Sequence, residues 1–199
     1  MVDESENILG SPPLRACVLI AFKDRPQSLL ACLDSLLLQL SGEAQLLLID
    51  DGSAVDIADH PAFEPYLANP HIHRIRQPEN LGVSASRNTG IKWCLDHDFD
   101  LVVMIDSDCL ARPGHIATHV ALHGEHKDAA VIGGGIRGTG TTLWATLDGM
   151  MTWFHCIPCT PERVVKAPYC LPTANLSIKI RMLELGDGFF DATLRTGED

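Results

Sequence analysis

Two aspartates that follow an apolar run are the residues of this chain best suited to chemistry. Residues 101–105 are all apolar, and Asp106 and Asp108 come directly after them. Such a run is typical of a strand buried on both faces of a parallel sheet, where ligands bind beyond the carboxyl ends of the strands. Side chains two residues apart in an extended segment point the same way, so both carboxylates are expected to face one small volume.

The repulsion between these two carboxylates favours a bound cation. Two unit charges ~4 Å apart repel by about 4 kcal/mol at an effective dielectric of about 20. A divalent metal ion, which prefers oxygen ligands, would offset that repulsion. The alternative is a pair of solvated loop aspartates, a common structure for an isolated Asp-x-Asp sequence.

A second pair of aspartates ends another apolar run. Residues 44–49 lead into the sequence Asp-Asp-Gly-Ser at 50–53. Carboxylates there can accept hydrogen bonds from a base N–H or a ribose hydroxyl. The alternative is a purely structural role, a turn in which Ser53 caps a helix. Arg87 follows a glycine-containing loop at 80–82. It would suit a diphosphate, and its alternative is a surface salt bridge.

The elements that must position these residues alternate between strands and helices. Apolar runs predict strands at 15–22, 44–49, 100–105 and 129–133. Alternation of apolar and polar residues predicts a strand at 71–76, and a turn followed by a strand is predicted within 171–180. Helical spacing of apolar residues predicts helices at 28–40, 83–97 and 114–127, with Pro26 suited to a first helical position. Strand, helix and strand in this order form a right-handed parallel crossover, so we expect an α/β fold with a mostly parallel sheet.

Composition and charge bound the class of protein. A chain of 199 residues is expected to form one domain, after a flexible leader at 1–13. The net charge of −11 disfavours a nucleic-acid partner, because the nucleic-acid backbone is also negatively charged. The start of the chain has no signal-peptide pattern, and no apolar run approaches ~20 residues, so we expect no membrane span and a cytoplasmic protein.

The cysteines predict reduced thiols rather than a metal or disulfide framework. There are seven of them, an odd number, scattered among apolar neighbours. A zinc site built from His155, Cys156, Cys159 and Cys170 is disfavoured because the second pair lacks a tight spacing.

Two further stretches allow more than one interpretation. Four histidines lie along one face of the predicted helix at 114–127, and a solvated polar face is favoured over a metal site; they are His115, His119, His123 and His126. Residues 143–157 are rich in Trp, Met and Leu. A core helix is the favoured interpretation, and an apolar flap over a substrate or a shallow contact with a membrane are the alternatives.

Six segments of the chain, in order, carry a resemblance to a known family. They are VLIAFKDRP at 18–26, LLLIDDGS at 46–53, NLGVSASRNTGI at 80–91, DLVVMIDSDCLARP at 100–113, LPTANLSIKI at 171–180 and GFFDATLRTGED at 188–199. Together they resemble the family 2 glycosyltransferases, inverting enzymes with one nucleotide-binding α/β domain of the GT-A type. The resemblance implies a single GT-A domain with a Rossmann-like sheet over 14–199, whose C-terminal part is expected to be truncated.

The resemblance also implies a role for each matching residue. Asp108 matches the metal-binding member of the Asp-x-Asp motif, and Asp106 matches the member near the ribose and sugar. Asp199 matches the aspartate that serves as general base. Asp51 matches the residue that binds the base edge, and Arg87 a basic residue near the diphosphate. The full set of implied nucleotide- and donor-binding residues is Ala21, Lys23, Asp24, Asp51, Arg87, Asp106 and Asn175.

Four of the implied positions lie in two segments, 21–24 and 171–180. The chain has Ala-Phe-Lys-Asp at 21–24, where the family usually has a Thr-Tyr-Asn type sequence. This difference is expected to alter stacking on the base, near which Asp24 would lie, or to place Lys23 near a phosphate. Asn175 would lie near the donor sugar or the acceptor.

The expected function is therefore the inverting transfer of a sugar from a nucleoside-diphosphate sugar, with UDP favoured. Mn²⁺ or Mg²⁺ would serve as cofactor, and the acceptor would be a glycan, a lipid-linked or another hydroxyl compound. A nucleotidyltransferase is disfavoured because residues 21–26 supply no glycine-rich phosphate loop. A non-catalytic nucleotide-sugar-binding module, or a fragment of a longer transferase, is the remaining alternative.

Overall fold

A computed structural model describes residues 13–153, 156, 171–182 and 189–193 of the chain. Its six strands are β1 (Ala16–Phe22), β2 (Ala44–Asp50), β3 (Ile72–Arg76), β4 (Leu101–Met104), β5 (Val131–Gly133) and β6 (Leu176–Lys179). Its α-helices are α1 (Pro26–Leu37), α2 (Glu64–Leu67), α3 (Val83–Asp96), α4 (His115–Glu125) and α5 (Leu143–Trp153).

The strands form one sheet in the order β3-β2-β1-β4-β6-β5. Strands β1 to β4 are parallel to one another, and β6 runs antiparallel to both β4 and β5. The predicted α/β fold with a mostly parallel sheet is thus confirmed.

The one reversed strand decides which residues reach the ligand edge of the sheet. Leu176, the first residue of β6, pairs with Met104, the last residue of β4. The turn of 3₁₀-helix at Thr173–Asn175 comes just before β6. It therefore lies at the same edge of the sheet as Asp106 and Asp108.

The core has two layers, one on each face of the sheet. Alternate residues of β1 face opposite layers, as the pleat of a strand requires: Val18 and Ile20 pack with α1, and Cys17 and Leu19 pack on the α3 side. All four are at most 2% exposed. A strand buried on both faces needs a continuous apolar sequence, so the apolar runs located β1, β2 and β4 correctly.

Helix α3 lies unusually close to β1 because it contains Gly90. A Cβ atom at Gly90 would lie 2.2 Å from Leu19 Cδ1, far inside van der Waals contact. Residue 90 must therefore lack a side chain for the helix to pack this closely on the sheet.

Helix α5 forms within the predicted stretch, but the favoured expectation that it is a core helix is wrong. None of its residues is buried, and Leu143, Trp144 and Met151 are 71%, 79% and 75% exposed. Its apolar composition does not by itself define a packing partner, because burial depends on where the preceding glycine-rich segment directs the helix. The flap and the membrane contact both stay predictions.

The expectation of a solvated histidine face on α4 is also wrong. His119 and His123 are 4% and 1% exposed. They face β6, where the hydroxyl of Ser177 lies within hydrogen-bonding distance of both rings. Polar partners on another element make this burial possible, and the α4 sequence does not reveal them.

In the part of the chain that the structure describes, no helix has both the length and the apolar character needed to cross a bilayer.

Candidate active site

The carboxylates of the Asp-x-Asp motif lie together just beyond the end of β4. One ligand atom from each of Asp106, Asp108 and Cys109 lies within 4.8 Å of the other two. The side chains of Asp106 and Asp108 are 40% and 54% exposed, so an ion can reach them from solvent. Two carboxylate oxygens on one accessible side fit a divalent cation, as the sequence predicts.

Cys109 is a neighbour of this pair that the sequence analysis did not assign. Burial, followed by the negative charges of Asp106 and Asp108, raises the pKa of the Cys109 thiol to about 11. The thiol is therefore neutral at pH 7 and adds no further negative charge to the cluster.

Arg87 holds Asp106 from the protein side. Its side chain is 9% exposed, and its Nη2 lies 3.3 Å from Asp106 Oδ1. The guanidinium also donates to Thr173 Oγ1 and lies 5.3 Å from the centre of the Phe190 ring. The ion pair of the alternative interpretation thus exists, but its arginine is buried, and the pair joins α3 to the Asp-x-Asp motif.

Asp108 has a weaker partner. Arg25 Nη1 lies 3.6 Å from Asp108 Oδ2, and the Arg25 side chain is 71% exposed. Exposed pairs of this kind contribute little because solvent screens them. A cation bound to Asp108 would therefore displace only a weak contact.

The two aspartates at the end of β2 have different environments. Asp50 is fully buried and accepts hydrogen bonds from Arg76 Nη1 and the Ser53 N–H, each at 2.8 Å, so it stabilises the loop. Asp51 is 6% exposed and accepts from the N–H groups of Leu81 and Gly82, at 2.8 and 3.1 Å. Asp51 thus joins the β2 loop to the start of α3, and its contact with a base stays a prediction.

A glycine allows the β2 loop to approach the loop before α3. Gly52 has φ +70°, and a Cβ atom there would lie 2.5 Å from the backbone carbonyl carbon of Glu79. A side chain at residue 52 would both strain the backbone and separate Asp51 from its two N–H donors.

The loop after β1 is joined to the same β2 loop. The Asp24 N–H donates to Ser53 Oγ at 2.8 Å, and Asp24 Oδ1 accepts from the Ala54 N–H at 2.9 Å. Lys23 is exposed, and Ala21 pairs with Ile49 within the sheet.

Asp24 also lines an apolar cavity of about 230 Å³. The other lining residues are Pro26, Ser53, Val55, Asp56, Ile57, His60 and Phe63. This lining does not include Asp51, Arg87, Asp106 or Asp108. The cavity is therefore separate from the cluster formed by Asp106 and Asp108.

Asn175 lies in the turn that enters β6. Its Nδ2 donates to the carbonyl of Gly135 at 2.9 Å, and its Oδ1 lies 2.8 Å from His119 Nε2. Gly135 and the buried His119 thus fix the orientation of its amide at the ligand edge of the sheet.

Asn88 is a further polar residue that the sequence analysis did not assign. Its Oδ1 accepts from the N–H groups of Phe189 and Phe190 at 3.0 and 2.9 Å, and its Nδ2 donates to the Phe190 carbonyl at 2.7 Å. Its place directly after Arg87, in a helix with few apolar residues, is the only sequence signal. Asn88 fixes the chain shortly before the segment that carries Asp199.

Several predicted positions lie outside the described residues. They include Asp199 and three of the four residues of the disfavoured zinc site, His155, Cys159 and Cys170. Among the described residues, Cys17, Cys32, Cys94 and Cys109 form no disulfide, and their reduced state stays a prediction.

Solved structures with this fold include enzymes of the GT-A class. TarS 1-349 of S. aureus in complex with UDP-GlcNAc has a TM-score of 0.68 and 17% identity, over 94% of this chain and 51% of that chain. The mannosyltransferase PcManGT from Pyrobaculum calidifontis, in complex with GDP-Man and Mn²⁺, has a TM-score of 0.64 and 15% identity, over 94% and 50%. At these identities the likeness shows the fold alone, which is the GT-A α/β fold.

The sequence then gives the family. Residues 17–172 match the family described as Glycosyl transferase family 2, and this chain belongs to that family. A curated N-acetylglucosaminyltransferase of Sinorhizobium fredii is 28% identical over 163 residues, 80% of this chain and 38% of that protein. One from Mesorhizobium japonicum is 27% identical over 164 residues, 80% and 37%. The chain thus spans less than half the length of these two relatives.

Proposed function

We propose that this chain binds a nucleoside-diphosphate sugar together with a divalent metal ion and transfers the sugar to an acceptor hydroxyl with inversion. The observation that carries the proposal is the acidic edge of the sheet, where Asp106 and Asp108 lie side by side and a buried arginine holds Asp106. Membership of glycosyl transferase family 2 supports this function for a site of that composition.

The residues at this edge fit a bound Mn²⁺ or Mg²⁺. Asp108 would hold the ion, and Asp106 and Cys109 lie in the same cluster. When bound, the ion would supply Lewis-acid stabilisation of the negative charge that develops on the leaving diphosphate.

The protein's own residues would bind and orient the donor. Arg87 keeps Asp106 in place through the 3.3 Å ion pair. In this proposal it would also carry positive charge close to the diphosphate. Asp51 would accept a hydrogen bond from the nucleobase. The part of the donor site that holds the base and the phosphates would be lined by Ala21, Lys23 and Asp24. The orienting contacts are made before substrate arrives, which lowers the cost of organising the transition state.

Asp199 is the general base in this proposal. Its carboxylate would take the proton of the acceptor hydroxyl as that oxygen attacks the anomeric carbon. The bond from the anomeric carbon to the diphosphate oxygen breaks on the opposite face, so the product has inverted configuration and the nucleoside diphosphate leaves with the electron pair.

UDP-N-acetylglucosamine is the donor that we propose to test first. Curated relatives that match over four fifths of this chain are N-acetylglucosaminyltransferases. The acceptor is proposed only as a hydroxyl compound, either a glycan or a lipid-linked one.

Calorimetric titration tests the donor site directly. UDP, GDP and UDP-N-acetylglucosamine would be titrated with Mn²⁺ and with excess chelator into the wild type, Asp108→Ala and the control Asp128→Ala. Asp128 is an exposed aspartate between α4 and β5, so its removal changes net charge equally without touching the site. We expect metal-dependent binding in the wild type and the control, and its loss in Asp108→Ala.

Two results would separate the parts of the proposal. Absence of nucleotide binding by the wild type would refute it for this chain. Metal-dependent binding with neither hydrolysis nor transfer would leave a binding module in place of an enzyme. If transfer occurs, Asp199→Asn should abolish it without weakening UDP binding, and NMR of the product should show the inverted anomer.

A further inference from the structure

We propose that His119 is a positioning residue, which orients the amide of Asn175 toward the donor sugar. It does so as part of a series of hydrogen bonds, all donated in the same direction, that also includes Ser177 and His123. The inference rests on the proposed function, because it assigns Asn175 the recognition of the sugar.

Asn175 is at the right edge of the fold for this role. It precedes β6, whose first residue pairs with the last residue of β4. Two residues before it, Thr173 accepts a hydrogen bond from Arg87, which is also paired with Asp106. The same short turn therefore adjoins both the Asp-x-Asp motif and the histidine pair.

The carbonyl of Gly135 fixes which way the amide of Asn175 points. A backbone carbonyl only accepts hydrogen bonds, so the group 2.9 Å from it must be the Asn175 NH₂. The amide oxygen then faces His119 Nε2 at 2.8 Å. Nε2 of His119 must accordingly carry a proton and donate it to this oxygen.

The direction of the remaining hydrogen bonds follows from this assignment. A neutral His119 with a proton on Nε2 has a lone pair on Nδ1, which lies 2.8 Å from Ser177 Oγ, so the hydroxyl donates to it. Ser177 Oγ can then accept from His123 Nε2 at 2.9 Å. Each donor thus points along one path, from His123 to Ser177, His119, Asn175 and Gly135.

Burial keeps both rings neutral and so keeps the direction fixed. Burial lowers the pKa of His119, and burial followed by the charge of Lys179 lowers the pKa of His123 to about 4. His123 Nδ1 is buried within the described part of the chain. His115 packs its ring 4.9 Å from that of His119, and burial, followed by the nearness of His119, lowers the pKa of His115 to about 4.

This arrangement leaves one N–H of the Asn175 amide for a ligand. The NH₂ group has two hydrogens, and the described residues provide one acceptor, the Gly135 carbonyl. The other hydrogen can donate to a sugar hydroxyl or to the acetamido oxygen of an N-acetylhexosamine. Gly134 leaves room for the amide in this position, because a Cβ atom at that residue would lie 2.3 Å from Asn175 Nδ2.

A pair of polar substitutions at His119 tests the inference. In His119→Gln the side-chain NH₂ occupies the position of Nε2 and still donates to Asn175. In His119→Asn the shorter amide replaces Nδ1, meets only Ser177 and leaves Asn175 without its donor. Both variants bury a polar amide in the same place, so they differ chiefly in the contact of interest.

Binding of UDP and of UDP-N-acetylglucosamine by calorimetry, with Mn²⁺, gives the readout. We expect His119→Asn to lose about tenfold in affinity for the sugar nucleotide, the effect of one neutral hydrogen bond, while its affinity for UDP stays within about twofold of the wild type. His119→Gln should stay within about threefold of the wild type for both ligands. Gly134→Ala, which displaces the amide without changing a histidine, should reproduce the selective loss.

Long-range ¹H–¹⁵N NMR of the histidine rings provides a readout that does not depend on a ligand. His119 and His123 should both be neutral and protonated on Nε2 at pH 7. Protonation on Nδ1 of His119 would overturn the proposed direction. An unchanged affinity for the sugar nucleotide in both His119→Asn and Gly134→Ala, or an equal loss in His119→Gln and His119→Asn, would overturn the positioning role.

Failure of the proposed function and failure of the role of His119 give different experimental results. If the wild type binds no UDP, the proposed function is refuted, and with it any role of Asn175 in recognising a donor sugar. If UDP and the sugar nucleotide bind but the His119 variants do not discriminate between them, the function stands and only the role of His119 is refuted.

Discussion

Replacing Arg87 by methionine removes a buried cation while keeping most of the apolar stem that packs in α3. The wild-type guanidinium is 9% exposed, pairs with Asp106 at 3.3 Å and lies 5.3 Å from the Phe190 ring centre. It also donates to the hydroxyl of Thr173. The variant Arg87→Met loses all three contacts at once.

The size of the effect follows from how deeply each contact is buried. The hydrogen bond from a charged group to buried Thr173 contributes about 2 kcal/mol. The ion pair contributes less than about 1 kcal/mol because Asp106 is partly solvated, and the contact with the Phe190 ring about 1 kcal/mol. We therefore expect the free energy of unfolding to fall by about 3 kcal/mol.

Urea unfolding of Arg87→Met and of the control Arg181→Met measures this difference. Arg181 also pairs with an aspartate, Asp98, at 2.7 Å, but the two side chains are 59% and 80% exposed. The control should lose less than about 0.5 kcal/mol. In calorimetry, Arg87→Met should also bind UDP with Mn²⁺ about tenfold more weakly, because Asp106 is no longer held.

Equal stability of the two methionine variants would refute this reasoning. It would mean that Arg87 contributes no more than a solvated surface charge, and that the turn at Thr173–Asn175 is held by other contacts. A large loss of stability with unchanged nucleotide binding would refute the second half alone, the link from Arg87 through Asp106 to the ligand.

Three other predictions concern stability. Gly90→Ala should lower the free energy of unfolding by about 1–3 kcal/mol, because its methyl group would meet Leu19 on β1. Urea unfolding measures this loss. The control is Gly124→Ala on α4, where a Cβ atom meets nothing within 4 Å. Asn88→Ala should raise the rate of amide hydrogen exchange at Phe189 and Phe190, which lose their shared acceptor, and unchanged rates would contradict the assignment. Burial, with a smaller effect of His119, lowers the pKa of His115 to about 4, below the ordinary value of 6.5, so its contribution to stability is complete above about pH 6.5 and is lost as the pH falls toward 4. The loss of stability between pH 7 and pH 5 should be about 2 kcal/mol smaller in His115→Leu than in the wild type, and an equal loss would contradict this.

The sheet was largely predictable because a strand buried on both faces needs an apolar run. The runs before Asp50 and Asp106 gave β2, β4 and the edge at which both aspartate pairs lie. The sequence does not show that Asp50 is structural while Asp51 meets the start of α3. That distinction depends on Arg76, which reaches Asp50 from the neighbouring strand.

The errors arose where burial depends on partners distant in sequence. His119 and His123 look like a polar face because their spacing is helical, yet Ser177 of β6, 58 and 54 residues away, allows both to be buried. Helix α5 looks like a core element because it is apolar, yet nothing in its own pattern says what should cover it. Composition predicts that a segment can be buried, and only the tertiary arrangement decides whether it is.

The reversed direction of β6 has a consequence for how such a domain can diversify. Gly133 at the end of β5 pairs with Leu176 at the start of β6, so the connection between them leaves the sheet and returns to it at the same edge. Apart from the two glycines that follow β5 and the turn that enters β6, its length and sequence are therefore independent of the strand pairing. Evolution, or a designer, can exchange or enlarge this insert beside the acidic residues and alter what is recognised there without rebuilding the scaffold beneath it.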